Sequence, residues 1–195
     1  MKRTLIISAV FIGASVGAFA QTAASTVARD VKQDQRIESG LKDGSLSTQE
    51  AAKLQRDEAK VDHLQAKELK DGKITPAEQA RLKAAQDKTS QDIYAAKHND
   101  VKGNPQSASS KRMQADVQRN VEQQKRVEGG IQNGSLTNHE VAKLERGQAR
   151  VDRTEAAAGR DGHVSALEQK RVQRKENRQS KKIFQQKHDA QERKG

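Results

Sequence analysis

The 195-residue chain has no cysteine, no tryptophan and only two prolines, and its aromatics are three Phe and one Tyr. Without cysteine there is no disulfide framework, thiolate metal site, iron–sulfur cluster or cysteine nucleophile. Long hydrophobic runs are scarce as well. Hydrophobic residues make up 32% of the chain and its mean hydropathy is −1.01, which argues against a large apolar core. No period-two alternation is evident, so strands are not expected. Nor is there a G-x-S-x-G, a Walker loop, a G-x-G-x-x-G after a strand or an H-E-x-x-H. An enzyme is therefore the least favoured class.

Residues Met1–Ala20 have the layout of a secretory signal peptide. Lys2 and Arg3 form the basic start, an apolar stretch follows, and Ala18-Phe19-Ala20 is a small-residue cleavage site. The expected mature start is Gln21, with a periplasmic or secreted destination and no membrane span after cleavage. Phe11 and Phe19 would leave with the signal, so Tyr94 and Phe184 would be the only aromatics kept. Base-stacking nucleic-acid modules need several exposed aromatics, so specific nucleic-acid readout is not expected.

Internal repetition is the strongest positive signal. Shifted by 90 residues, Val31–His98 aligns without a gap on Val121–His188, with roughly 26 of 68 positions identical. Each copy holds a smaller repeat. LKDGSLSTQEAAKL (Leu41–Leu54) matches LKDGKITPAEQARL (Leu69–Leu82), and the second copy has IQNGSLTNHEVAKL and GRDGHVSALEQKRV. Four helix–turn–helix corners follow. Gly44, Gly72, Gly134 and Gly162 suit a left-handed residue past a helix end. Ser47, Thr75, Thr137 and Ser165 stand three residues before Glu50, Glu78, Glu140 and Glu168, the spacing of a capping box. Pro76 fits the first helical position.

The expected fold is all-α: two tandem three-helix repeat units joined by a short linker, after the signal peptide. Unit 1 covers 27–100, the linker 101–111 and the basic unit 2 covers 112–190. Helices are expected near 27–42, 47–70, 75–98, 112–132, 137–159 and 165–190. Apolar stripes run through Ala51, Leu54, Val61 and Leu64, and through Val117, Val121, Val127 and Ile131, with Val127 displaced by two from strict spacing. The stripes are thin, so slender units prone to self-association are expected, without a pocket in which a pKa could be driven far. Acidic pairs such as Asp57-Glu58 are read as solvated partners of nearby Lys and Arg.

The D-G-x-[IL]-[ST]-x-x-E turns resemble the second half of an EF-hand loop. They are also similar to those of small exported proteobacterial proteins of mostly unassigned function with degenerate EF-hand-like helical repeats. On that resemblance Asp43, Asp71, Asn133 and Asp161 stand at loop position five and Glu50, Glu78, Glu140 and Glu168 at position twelve. The first positions are Ser39, Lys67, Gly129 and Ala157, and the third are Leu41, Leu69, Ile131 and Gly159. Calcium wants an almost complete oxygen cage, and two or three ligands of seven do not supply one. Capping explains the same residues without a cofactor; Ca2+ is the alternative. His98 and His188, equivalent in the two copies, are candidates for a soft-metal surface site with copper or zinc, weighed against ordinary helix-end histidines.

Charge divides unevenly. Residues 21–100 carry 14 basic and 14 acidic residues, whereas 101–195 carry 21 basic and 12 acidic. The excess gathers on the last helix, at Lys170, Arg171, Arg174, Lys175, Arg178, Lys181 and Lys182. Positions 171, 174, 175, 178 and 182 form a cationic stripe about 17 Å long. Such a stripe suits an anionic surface or polymer, or an acidic protein. The expected function is a non-enzymatic exported protein that binds anionic or protein partners through this basic helix, in envelope or stress physiology. The alternative is an EF-hand-like metal binder.

Overall fold

The computed structural model describes residues 15–190. The expected signal segment therefore lies mostly outside the described residues. The fold is all-α: α1 (Ser15–Asp43), α2 (Thr48–Glu68), α3 (Pro76–Lys97), α4 (Ala108–Gln132), α5 (Asn138–Ala158) and α6 (Ala166–Lys187). Among the described residues there is no strand, and no helix is long and apolar enough to cross a membrane.

Local chemistry sets the corners. Ser47, Thr75, Thr137 and Ser165 are N-caps with complete capping boxes, and Pro76 opens α3. Glycines 44, 72, 134 and 162 have φ of 79°, 82°, 79° and 84°, the left-handed region that side chains avoid. The apolar residue two places on (Leu46, Ile74, Leu136 or Val164) turns back into the core. Gly40 leaves room for this: a Cβ there would meet the Leu46 side chain at 2.6 Å. The connection before α4 is docked as well, with the Gly103 N–H donating to the Gly44 carbonyl at 2.9 Å.

The principal packing runs between the copies. α2 lies chiefly against α5 and α1 against α4, while α3 covers α1 and α2, and α6 covers α4 and α5. Two apolar clusters close the ends of the central four helices. One joins Ala23 and Val27 of α1 to Leu69 at the end of α2, Val127 and Ile131 of α4, and Val141 and Leu144 of α5. The other joins Ile37 and Leu41 of α1 to Leu54 of α2, Val117 of α4 and Ala158 of α5. Under the 90-residue shift the two clusters map onto each other, except that Leu69 corresponds to Gly159 and Ala158 to Glu68. α1 thus runs antiparallel to α4, and α2 to α5, as in a bundle with heptad-like seams.

Those seams explain the apparent displacement of Val127. The buried line of α4 runs through 113, 117, 120, 124, 127 and 131, alternating four and three, with Asn120 and Gln124 filling the places between the apolar ends. α1 does the same with Asp30 and Asp34 between Val27 and Ile37. The middle of the bundle is therefore a polar layer.

Candidate functional site

Two features stand out: the cationic face and the polar layer. On α6 the residues Lys170, Arg171, Arg174, Lys175, Arg178, Lys181 and Lys182 are all exposed. Lys175, Arg178 and Lys182 join Arg150 of α5 along a groove floored by Gly147, Val151 and Gln179. Gly147 permits the close approach of the two helices, since a Cβ there would meet Gln179 Oε1 at 2.0 Å. Among the described residues none of the four cations holds a carboxylate.

The duplicate positions differ in kind. Gly147 corresponds to Asp57, Lys175 to Ala85 and Lys182 to Asp92. There Lys60 pairs with Asp57 at 2.6 Å and Lys88 with Asp92 at 2.5 Å. One face of the molecule is internally neutralised, and the matching face is cationic.

The polar layer departs from the sequence expectation of solvated acids. Asp57 is indeed paired at the surface, but Glu58 is 3% exposed and belongs to the interior. With it are Asp30, Asp34, Asp62, Glu145, Asp152 and Glu155, all buried. The expectation that no carboxyl would be driven far from its ordinary pKa is thus corrected. Desolvation raises all of them, and for all but Asp152 repulsion from neighbouring carboxyls adds to it. Glu145 is pushed up to about 8 and Asp152 to about 7. Asp62 and Asp152, duplicates of each other, hydrogen-bond across the layer.

Carboxylate and amide alternate between the copies. Asp30, Asp34 and Glu58 correspond to Asn120, Gln124 and Gln148, whereas Gln55, Gln65 and Gln86 correspond to Glu145, Glu155 and Glu176. The amides donate to the acids: Gln124 to Glu145 at 3.0 Å, Asn120 to Glu155 at 2.8 Å, Gln148 to Asp152 at 2.9 Å and Gln86 to Asp30 at 2.5 Å. A buried charge without a partner costs several kcal/mol, so amide donors and raised pKa values together make this layer tolerable. Beside it, Glu176 accepts from Arg119 at 3.2 Å and is nonetheless raised to about 8, because burial and nearby Asp116 outweigh the guanidinium.

The corner residues have local tasks. Oε2 of Glu50, Glu78, Glu140 and Glu168 accepts the N–H and hydroxyl of its capping residue at 2.7–2.9 Å. These bonds hold Glu78 and Glu168 below the ordinary range. Oδ1 of Asp43, Asp71, Asn133 and Asp161 accepts the N–H two residues on, at 2.8–3.1 Å. His98 stacks on Tyr94 with ring centroids 4.1 Å apart, and its Nδ1 donates to the Tyr94 carbonyl. His188 repeats this on Phe184. Both rings are exposed, and each uses one nitrogen for its own helix end.

One group of three metal-capable side chains comes together among the described residues, and it lies in none of these places. One oxygen each from Asp30, Asp62 and Glu145 fall within 4.8 Å of one another. Sequence reasoning missed this group. The available signal was a run of acids at positions that complete the three-and-four spacing of apolar neighbours.

Compared with protein-family models, curated proteins and solved structures, the chain matches none.

Proposed function

We propose that this protein is an exported, non-enzymatic helical repeat protein that binds anionic polymers or surfaces along α6 and the α5–α6 groove, in the cell envelope. The observation that carries the reading is the contrast between duplicates. Positions that hold ion pairs on the α2–α3 face present cations on the α5–α6 face that have no carboxylate partner among the described residues. Four cations within one groove raise the local potential and attract a chain of phosphates or carboxylates more than an isolated lysine can. α6 offers no broad apolar face outward: Leu167 and Phe184 are its large exposed hydrophobics. Adsorption rather than insertion is the mode that fits.

Replacing Arg171, Arg174, Lys175 and Arg178 together by Gln is expected to abolish retention on heparin resin and binding to anionic vesicles. Helicity should stay near wild type, because all four side chains are exposed. Wild-type binding should weaken steeply with salt. Undiminished retention of the variant rejects the assignment.

A further inference from the structure

The two halves of the polar layer hold different groups at equivalent positions. In one half the positions equivalent to Asp62, Asp30 and Glu145 hold Asp152, Asn120 and Gln55. Asn120 donates to Asp152 Oδ1 at 3.3 Å, and Gln148 adds a second bond at 2.9 Å. In the other half the same positions hold Asp30, Asp62 and Glu145. Asp30 and Glu145 each have one oxygen on an amide donor. Their remaining oxygens, Asp30 Oδ2 and Glu145 Oε1, have no partner, although the residues are 1% and 0% exposed. Orphaned buried acceptors of this kind are uncommon and point to a missing donor or cation.

No lysine or arginine hydrogen-bonds or ion-pairs with any of the three among the described residues. The side-chain oxygen of Gln55, at the position equivalent to Glu145, is also buried and unpartnered, while its amide N–H donates to Asp34 Oδ1 at 3.4 Å. A proton on each carboxyl relieves repulsion but supplies one donor to one acceptor. A cation satisfies several oxygens at once.

We propose that Asp30, Asp62 and Glu145 form a buried site for one hard divalent cation, presented by α1, α2 and α5 in the middle of the bundle. The separation of their oxygens, within 4.8 Å, is spanned by a single ion with metal–oxygen distances of about 2.0–2.6 Å. The donor set is all oxygen, with no His or Cys, so calcium, magnesium or manganese fits and zinc or copper does not. The site is separate from the four corners, whose carboxylates are occupied by backbone caps. It is also independent of the anion-binding face. Because the three ligands come from both copies, the cation ties the copies together.

The test uses the full chain from Gln21, stripped with chelator and titrated calorimetrically with Ca2+, Mg2+, Mn2+ and Zn2+ at pH 7.5. One-to-one binding of at least one hard cation is expected, with a rise in melting temperature and weaker binding of Zn2+. Asp30→Asn with Glu145→Gln installs the amides that the duplicate half already carries. This variant should keep its helicity and lose at least tenfold in cation affinity; if it does not fold, Asp62→Asn is to show the same loss. Glu50→Gln, at a corner, should leave affinity unchanged. Absence of binding by all three hard cations, binding that survives the amide substitutions, or loss caused by Glu50→Gln overturns the proposal.

Discussion

Glu176 shows at the scale of one residue how burial competes with an ion pair. Its partners are Arg119, which is part exposed and also bonds Asn177, and Gln123, which donates to its carbonyl; Asp116 is the neighbouring acid. Glu176 is raised to about 8 and Asp116 to about 7. A carboxyl whose folded pKa exceeds its unfolded value stabilises the fold fully below pH 4, and that stabilisation is lost as pH rises through 7–8. In chelator, the urea midpoint should therefore fall between pH 5 and pH 8.5. Glu176→Gln places here the amide of its duplicate, Gln86. It should leave the unfolding free energy at pH 5 close to wild type and raise it at pH 8.5, by on the order of 1 kcal/mol. An equal effect at both pH values shows that the charge is not responsible.

Each corner, at the scale of the element, is a self-sufficient device. Ser47→Ala or Thr137→Ala removes an acceptor for the N3 amide and should cost about 1 kcal/mol in chemical denaturation. The glycines separate backbone strain from crowding. At Gly134 a Cβ meets nothing within 4 Å, so Gly134→Ala should cost only the left-handed conformation, about 1–2 kcal/mol. At Gly44 a Cβ would stand 3.2 Å from the Gly103 carbonyl and 3.3 Å from Pro105, so Gly44→Ala should cost more. Equal losses at the two sites mean that the docked connection yields without resistance. These corners were readable because a cap, a left-handed glycine and an apolar staple lie within a dozen consecutive residues. The all-α class followed from them, and helix ends fell within about three residues of expectation, apart from the starts of α1 and α4.

For the whole molecule, the copies complete each other. α1 finds its main partner in α4, and α2 in α5. A half taken alone exposes both an apolar seam and a row of acids or amides. Residues 21–100 and 101–195 made separately should each show less helicity than the whole. An equimolar mixture should recover it, because the α1–α4 and α2–α5 packing and the Asp62–Asp152 hydrogen bond form only when both copies are present. Full helicity in either isolated half means that the contacts between copies are dispensable.

The reach of the sequence follows from distance along the chain. Duplication, caps, helical class and the cationic bias of α6 depend on residues that are neighbours in order, so they are visible in the letters. Whether an aspartate on an Ala-rich helix faces water or a second helix depends on what covers it. For Asp30, Asp62 and Glu145 the covering elements are contributed by both copies, up to 115 residues apart. Asp57 and Glu58 are adjacent and alike in type, yet one is an outward ion pair and the other is sealed in the bundle. Only the packing of the two copies decided which acids lost their water, because desolvation is a property of the surroundings and not of the residue.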